Sequence, residues 1–207
     1  MNLFITLEGP EGSGKSTQAP RLAEYLRQKG WQVLLTREPG GTFIGDQIRR
    51  VLHDLGNISM HPRTELLLYS ASRAQIVNEV IRGHLASGGT VVCDRYADSS
   101  MAYQGYGQGL PLEDLHAITE FATGGLKPDL TLLLDLPVAM GLARRRGTNE
   151  WNRLDAYQIE FHERVRAGYA QMVMAEPKRW VVVDASLEAE AVWQQMRERL
   201  EAWLASR

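Results

Sequence analysis

The sequence has 207 residues with a single cysteine, no long hydrophobic run and no long run of one charge. Cys93 cannot form an internal disulfide, and its position in an apolar run at residues 90–93 predicts a buried, reduced thiol. No apolar stretch approaches the roughly 20 residues that span a bilayer. The amino-terminal segment has no basic region followed by a cleavage site. These absences argue against secretion and against a membrane partner, and they predict a cytoplasmic location.

The charges are almost balanced, with 23 Lys and Arg, 25 Asp and Glu, and a net charge of −2. A polyanion must therefore be bound by a local cluster of Lys and Arg side chains rather than by the field of the whole surface. This disfavours binding to a nucleic-acid polymer. With 44% apolar residues, the length suits one domain covering residues 1–207.

Five short apolar runs predict strands, and most of them are continuous rather than alternating, as in strands covered on both faces. The runs are residues 3–7, 31–35, 91–93, 130–134 and 180–183. Segments with helical spacing lie between them, and Gly30, Gly88 and Gly89 stand where helices should end. The alternation predicts an α/β fold, a five-stranded parallel sheet with helices on both faces. Pro20 predicts a local irregularity in the first helix.

The strongest motif follows the first predicted strand. It is the complete G-x-x-x-x-G-K-S pattern of a phosphate-binding P-loop, Gly9-Pro10-Glu11-Gly12-Ser13-Gly14-Lys15-Ser16. Glycines let the backbone N–H groups turn towards phosphate oxygens, and the next helix adds its positive N-terminal end. We expect Lys15 to hold the β- and γ-phosphates and Ser16 to bind Mg²⁺. The residues predicted to bind ATP are Gly9, Glu11, Gly12, Ser13, Gly14, Lys15, Ser16, Thr17 and Arg144.

A P-loop alone does not separate kinases from GTPases or mechanical ATPases. The sequence has neither the Asn-Lys-x-Asp run nor the Asp-x-x-Gly switch of GTPases. The third strand ends in Asp94, where a carboxylate can hold the hydration shell of Mg²⁺, followed by Arg95. Such a pair is also common as a surface ion pair, but beside a P-loop it is a candidate phosphoryl clamp.

The polar segment at residues 144–153 interrupts the helical pattern and carries four arginines, Arg144, Arg145, Arg146 and Arg153. It predicts either a short lid over an active site or a solvated loop.

Together these motifs resemble the bacterial thymidylate kinases over nearly the whole chain. The matching segments are residues 7–17, 36–42, 48–49, 65–75, 94–96, 99–105, 128–130 and 153–155. Many families share the P-loop, but few share the T-R-E-P-G-G-T run at residues 36–42 together with D-R-Y at 94–96 and A-Y-Q-G at 102–105. The resemblance implies a P-loop nucleoside monophosphate kinase fold, Mg²⁺ with ATP as phosphoryl donor, dTMP as acceptor, and a homodimer.

The resemblance also implies roles for residues on the acceptor side. Arg37, Arg49, Arg73 and Arg95 would gather around the 5′-phosphate, which guanidinium groups bind in bidentate fashion. Tyr69 would stack on thymine, and Ser100 and Gln104 would contact the base edge or the monophosphate. Tyr103 would lie against the sugar and Glu11 near the 3′-hydroxyl. Without the resemblance, Tyr69 and Tyr103 also fit core packing, and Glu11 a solvated loop.

The family resemblance further places the catalytic positive charge in the lid, because the interior of this P-loop, residues 10–13, is not basic. Lys15, Arg95 and Arg153 are therefore the predicted catalytic residues. Asn152 and Asp155 depart from the acids usual at these positions in the family, so their roles stay open. Two other functions fit the P-loop: a kinase for another acceptor, such as a deoxynucleoside, and a regulator that uses ATP as a switch.

Overall fold

The computed structural model describes residues 2–146 and 151–206. Five strands form one sheet in these residues, β1 (Phe4–Glu8), β2 (Val33–Arg37), β3 (Thr90–Asp94), β4 (Leu130–Asp135) and β5 (Trp180–Asp184). Every pairing is parallel and the strand order is β2-β3-β1-β4-β5. The order reverses direction on either side of β1, so a crevice opens at the carboxyl ends of β1 and its neighbours. The predicted α/β fold and all five strands are confirmed.

The helices are α1 (Lys15–Gln28), α2 (Phe43–His53), α3 (Pro62–Ile76), α4 (Arg82–Ala86), α5 (Ala97–Ser100), α6 (Leu112–Thr123), α7 (Val138–Arg146), α8 (Ile159–Ala175) and α9 (Ala189–Ala205). A 3₁₀ turn at Leu55–Asn57 follows α2. Two π-helical segments extend α3 and α5, at Val77–Ile81 and Met101–Gly107. Such segments are uncommon and often lie at functional sites; the second contributes to the cavity described below.

The sheet is covered on both faces, which explains its continuous apolar strands. Leu3, Ile5 and Leu7 pack against α1 and α9 on one side. Phe4 points to the opposite side, where it packs with Ile76 and neighbouring residues. Successive side chains of a strand point to opposite faces, so both sets must be apolar. Cys93 lies in this second cluster as a buried free thiol, as predicted.

Glycines end two helices where the sequence predicts. Gly30 and Gly88 have φ values of 85° and 84° and follow the ends of α1 and α4. Helix α1 runs through Pro20 without a break, so the expected irregularity does not interrupt it. Pro20 is exposed, where the carbonyl that loses its donor can bond to water.

The predicted lid coincides only in part with described residues. Arg144, Arg145 and Arg146 form the last turn of α7, residues 147–150 lie outside the described part of the chain, and residues 151–158 have no regular structure. Within residues 2–146 and 151–206, no helix combines the length and apolarity needed to cross a bilayer.

Candidate active site

A cavity of about 650 Å³ opens at the carboxyl ends of β1, β2 and β3. It extends from the P-loop to α3 on one side and to the chain after β5 on the other. Parallel α/β sheets bind ligands at this edge, where the strand order reverses. One continuous space therefore joins the predicted ATP and acceptor sites.

The P-loop follows β1 and has the backbone its glycines allow. Gly12 and Gly14 have φ values of 71° and 86°, and a Cβ at Gly12 would lie 2.1 Å from the carbonyl oxygen of Gly141. Lys15 Nζ donates to the carbonyl oxygens of Gly9 and Pro10, at 3.0 and 2.9 Å. Burial, together with the charge of Arg95, lowers the pKa of Lys15 to about 8. An anion in the loop would offset both effects.

Arg95 lies at the centre of the cavity, directly after β3. Its φ of 68° is rare for a side chain larger than glycine, and such strain is typical of functional sites. Its guanidinium donates to Glu11 Oε1 at 2.7 Å and to the Tyr103 hydroxyl at 3.1 Å. Ser99 Oγ accepts a further bond at 3.2 Å. These bonds aim the cation at the space next to the P-loop.

The carboxylate of Glu11 lies near several cationic side chains. Burial acts to raise the pKa of its carboxyl group, but Arg95, Lys15 and Arg145 outweigh burial and lower it to about 2. The Tyr103 hydroxyl donates to Glu11 at 3.0 Å. Glu11 is thus a fixed acceptor that links the P-loop to Arg95 and to the segment after α5, rather than a solvated loop carboxylate.

The acceptor side is built by α3 and by the segment that follows α5. Tyr69 of α3, Ser100 at the end of α5 and Gln104 in the segment after it line the same cavity. Gln104 Nε2 donates to Glu65 Oε1 at 2.6 Å. Glu65 and Tyr69 are four residues apart and share one helix face. An aromatic ring and an amide are thus brought together at one end of the cavity.

Two more arginines face this space from the end of β2 and from α2. Arg37 and Arg49 both line the cavity, and Arg49 donates to the carbonyl oxygen of Pro39 at 3.0 Å. His53 lines it as well. Burial, with the charge of Arg49, lowers the pKa of His53 to about 3, so the imidazole is neutral at physiological pH.

Arg144 forms the opposite end of the cavity. It donates to the backbone carbonyls of Ala185, Ser186 and Leu187 at 2.7, 3.1 and 3.3 Å. These bonds fix its guanidinium beside the loop after β5. The flat guanidinium and the apolar side chains of Leu187 and Val192 line a space suited to a purine ring.

Arg145 is the lid arginine that reaches the cavity near Glu11. It forms a bidentate pair with Asp155, at 3.0 and 2.8 Å. Asp155 also accepts from the backbone N–H of Asn152 at 2.9 Å, and Asn152 Oδ1 accepts from the N–H of Leu154. Asp155 therefore orients Arg145, while Asn152 forms the turn that positions Asp155.

Most predicted site residues line the cavity, and three do not. Those that do are Glu11, Gly12, Ser13, Gly14, Lys15, Ser16, Thr17, Arg37, Arg49, Tyr69, Asp94, Arg95, Ser100, Tyr103, Gln104 and Arg144. Gly9 is buried behind the loop, and its carbonyl accepts from Lys15 and Arg95. It shapes the loop rather than facing a ligand.

Arg73, which the resemblance predicts to gather with the phosphate-binding arginines, is not among the residues that line the cavity. Its side chain is only 1% exposed and donates to Glu38, Ser100 and the Tyr96 carbonyl. It lies behind the cavity wall and holds Ser100. Burial raises the pKa of Glu38 to about 7 against the opposing effect of Arg73.

Arg153, which the resemblance predicts to be catalytic, is not among the residues that line the cavity in this structure. Its side chain is 1% exposed and forms an ion pair with Glu65, which is completely buried. It also donates to the Leu52 carbonyl at 3.0 Å and to the Tyr157 hydroxyl at 2.9 Å. Arg153 therefore joins α2, α3 and the chain after α7.

Sequence reasoning missed several residues that line the cavity. Glu38, His53, Ser99 and Arg145 are among the polar ones. Arg145 lay within the predicted lid, but nothing in the local sequence distinguished it from Arg144, Arg146 or Arg153. Glu38 lay within the T-R-E-P-G-G-T run.

The cation that ATP requires fits this donor set. Among the described residues no group of three or more His, Cys, Asp or Glu side chains could hold a metal ion by itself. Ser16 and Asp94 both line the cavity at the P-loop. Mg²⁺ commonly keeps several waters and is bound through one or two side chains and phosphate oxygens, so these two residues suffice for a cation that arrives with ATP.

Comparison with known proteins agrees with this geometry. A family model described as thymidylate kinase matches residues 7–196. The chain belongs to the thymidylate kinase family. It is therefore an enzyme that transfers a phosphoryl group from ATP to dTMP and yields dTDP, a step towards dTTP.

Individual relatives match over almost their whole length. A thymidylate kinase of Roseiflexus sp. strain RS-1 is 54% identical, with all of this chain and 96% of that protein covered. A thymidylate kinase of Deinococcus radiodurans is 52% identical over 95% of this chain and 97% of its own. The crystal structure of thymidylate kinase from Ehrlichia chaffeensis has a TM-score of 0.77 at 32% identity, covering 96% and 98% of the two chains.

Proposed function

We propose that this enzyme transfers the γ-phosphoryl group directly from Mg²⁺-bound ATP to the 5′-phosphate of dTMP, without a covalent enzyme intermediate. The supporting observation is the single cavity that joins the P-loop to Tyr69 and Arg95. Both substrates fit one space only if their phosphates meet between Lys15 and Arg95. The arrangement favours direct transfer over two separate half-reactions.

On the donor side, the P-loop N–H groups and Lys15 bind the β- and γ-phosphates, and Arg144 lies beside the adenine. Ser16 and Asp94 would hold Mg²⁺, Asp94 through water, and the cation would supply positive charge to the phosphate oxygens. Residues 12–17 orient the donor phosphates.

On the acceptor side, Arg37, Arg49 and Arg95 bind the dTMP phosphate, and Tyr69 stacks on the thymine. Tyr103 lies against the sugar and disfavours a 2′-hydroxyl, and its bond to Glu11 holds the ring in place. Glu11 accepts from the 3′-hydroxyl. Arg95 already bonds to Glu11 in this structure, so the phosphate of dTMP competes with that carboxylate for the guanidinium.

In the chemical step an oxygen of the dTMP phosphate attacks the γ-phosphorus of ATP, and the bond from that phosphorus to the β-phosphate oxygen breaks. The attacking oxygen is already ionised near neutral pH, so no general base is required. Positioning and positive charge supply the catalysis. Lys15, Arg95 and Arg145 provide that charge, with Arg145 taking the role predicted for Arg153 and Asp155 orienting it.

We also propose that the enzyme is a homodimer that pairs through α2 and α3. These helices pack together and leave large apolar side chains outside, with Phe43 81% and Leu67 57% exposed and Val51, Leu55 and Ile58 nearby along α2 and the turn after it. Monomeric proteins rarely expose contiguous apolar surface of this kind. The cytoplasmic location and the absence of a nucleic-acid partner stay predictions.

The test is to incubate the enzyme with ATP, Mg²⁺ and each common nucleoside or nucleoside monophosphate, and to identify the phosphorylated product. We expect ADP and dTDP to form in equal amounts only when dTMP is present. The Lys15→Met variant should fold normally and lose several factors of ten in rate, about tenfold for each 1.36 kcal/mol of stabilisation removed. ADP release without acceptor would favour the ATP-switch alternative. A phosphorylated nucleoside would favour a nucleoside kinase.

A further inference from the structure

The amide of Gln104 is held in one orientation at the nucleoside end of the cavity. Gln104 is 1% exposed and lies in the π-helical segment Met101–Gly107. Its Nε2 donates to Glu65 Oε1 at 2.6 Å, and Gln104 is among the residues that line the cavity. The amide nitrogen thus points into the protein, and its oxygen is the atom left to meet a ligand.

Glu65 imposes this orientation because every neighbour of its carboxylate is a donor. Gln108 Nε2 donates to the same oxygen at 2.9 Å, and the other oxygen pairs with the guanidinium of Arg153. An ionised carboxylate only accepts hydrogen bonds, and a guanidinium only donates them. Gln104 can therefore bond to Glu65 only through its NH₂ group.

The fixed amide lies where it can contact a base. Glu65 and Tyr69 share a face of α3, and Ser100 and Gln104 are four residues apart on the facing segment. Ser100 Oγ accepts a hydrogen bond from Arg73 at 3.0 Å, so the hydroxyl proton of Ser100 is available to a ligand. A base beside Tyr69 thus meets an acceptor from Gln104 and a donor from Ser100.

These two atoms match thymine and uracil and mismatch cytosine. Thymine and uracil carry an N–H donor at ring position 3 and an acceptor oxygen at position 4. Cytosine carries an acceptor nitrogen at position 3 and an amino donor at position 4. A buried site that leaves polar groups unpaired rejects a ligand strongly.

We propose that Glu65 is a positioning residue that turns the Gln104 oxygen into the cavity and so makes the enzyme select bases with an N–H at ring position 3. Glu65 does not touch substrate, and Arg153 serves the same network from its far side. The inference rests on the proposed placement of the base beside Tyr69.

The test compares kcat/KM for dTMP, dUMP and dCMP in the wild type and in Glu65→Gln. In the variant the introduced carbonyl oxygen faces Arg153, and the introduced NH₂ faces Gln104. Gln104 must then turn over and present its own NH₂ to the base. We expect the dTMP to dCMP ratio to fall by at least about tenfold, mainly through KM for the monophosphates. KM for ATP and the dTMP to dUMP ratio should stay unchanged.

The matched control is Gln108→Leu, which removes the other amide donor to Glu65 and leaves the bond to Gln104. Its dTMP to dCMP ratio should equal that of the wild type. If Glu65→Gln does not fold, the double variant Glu65→Gln with Arg153→Met carries the test, because it leaves no unpaired guanidinium in the core. Its ratio should fall to a value between those expected for Glu65→Gln and the wild type.

Three outcomes would overturn the inference: a wild type that uses dCMP as well as dTMP, a folded variant at Glu65 with an unchanged ratio, or a Gln108→Leu ratio that falls equally. In each case dTMP phosphorylation by the wild type would persist, so the proposed transfer mechanism would stand. Loss of dTMP phosphorylation by the wild type would instead refute the proposed function itself.

Discussion

The pKa of Lys15 is set by the groups around its ammonium group. In the structure its ammonium group bonds to loop carbonyls and lies near Arg95, and both burial and this neighbour disfavour its charge. The pKa of about 8 lies below its ordinary value of 10.5. Between these two pH values the unfolded chain binds a proton that the folded site has lost. The free energy of unfolding contributed by Lys15 therefore rises with pH in this window.

This shift predicts proton uptake when ATP binds. The phosphates add negative charge beside Lys15 and raise its pKa, so binding at about pH 9 should take up part of a proton, and binding at about pH 7 should take up little. Titration calorimetry in buffers of different ionisation enthalpy measures the uptake. Equal uptake at both pH values would contradict the assignment to Lys15.

The buried ion pair of Arg153 predicts that its substitution lowers the stability of the protein, whereas substitution of a catalytic arginine would lower the rate. Arg153→Ala would leave the carboxylate of Glu65 buried without its guanidinium partner, which costs about 3–5 kcal/mol when a buried pair is broken. Chemical denaturation measures the loss. Arg146→Ala, at the exposed end of α7, is the control and should cost less than about 0.5 kcal/mol. A fully stable Arg153→Ala variant with a slow chemical step would restore the lid role.

At the scale of elements, α3 forms the wall of the acceptor site with one face. Glu65, Tyr69 and Arg73 follow each other at intervals of four residues, so they align along the helix. Only Tyr69 lines the cavity, while its two neighbours hold Gln104 and Ser100 in place. The helix thus provides one residue that lines the cavity, Tyr69, and two residues that position side chains lining it, Glu65 and Arg73.

Substitution of Tyr69 tests that wall. Tyr69→Ala should raise KM for dTMP at least about tenfold and leave KM for ATP almost unchanged, because a large aromatic contact is lost on one side only. Tyr69→Phe is the matched control and should have a mild effect, since stacking requires the ring and not the hydroxyl. Equal changes in both KM values would argue against an acceptor pocket at α3.

The end of α7 brings one arginine to each of two sites. Arg144 is bound by carbonyls after β5, whereas Arg145 is bound by Asp155 near Glu11. Neighbouring residues on a helix point in directions about 100° apart, so adjacent arginines serve different ligands. Asp155, which departs from the usual family residue, is therefore part of the site.

The lid prediction now concerns Arg145. Arg145→Ala should lower kcat by about two factors of ten or more with little change in ATP affinity, because the positive charge acts on the transferring phosphoryl group. Single-turnover kinetics measures the chemical step, with Arg146→Ala as the control from the same turn. A change confined to KM would indicate ordinary ground-state binding.

At the scale of the whole molecule, the apolar surface of α2 and α3 lies outside the cavity but is built from the same helices. Residues of α2 and α3 that face inward, Arg49 and Tyr69, line the site, whereas Phe43 and Leu67 face outward. A partner bound there would hold the acceptor wall in place. Dimer formation would then support dTMP binding.

Negative charge introduced on the exposed apolar surface of α2 and α3 tests the proposed dimer. Phe43→Asp combined with Leu67→Asp should yield monomers by sedimentation velocity, because two carboxylates would be buried at the interface. Met174→Asp on α8 changes another exposed apolar residue, 64% exposed, and should leave the assembly unchanged. A wild-type monomer, or a dimer that survives the double substitution, would contradict the proposed interface.

The sequence by itself determined the sheet, the P-loop and the ends of the helices that feed the site. Each depends on neighbours along the chain: apolar runs form strands, and Gly12 and Gly14 allow a loop that opens into α1. The positions of Asp94 at the end of β3 and of Arg95 directly after it also followed from local order. The local sequence determines segments of this kind, because their backbone geometry depends on only a few neighbouring residues.

Only the tertiary structure decided which arginines line the cavity. Arg73, Arg145 and Arg153 have the same chemistry, and their local spacing fits a ligand equally well. Each arginine is oriented by an ion pair with a carboxylate from another part of the chain. Arg73 pairs with Glu38 behind the cavity wall, and Arg153 pairs with Glu65 in the core. Arg145 pairs with Asp155 at the cavity. A buried guanidinium must find a partner, and which partner is near depends on how the chain packs.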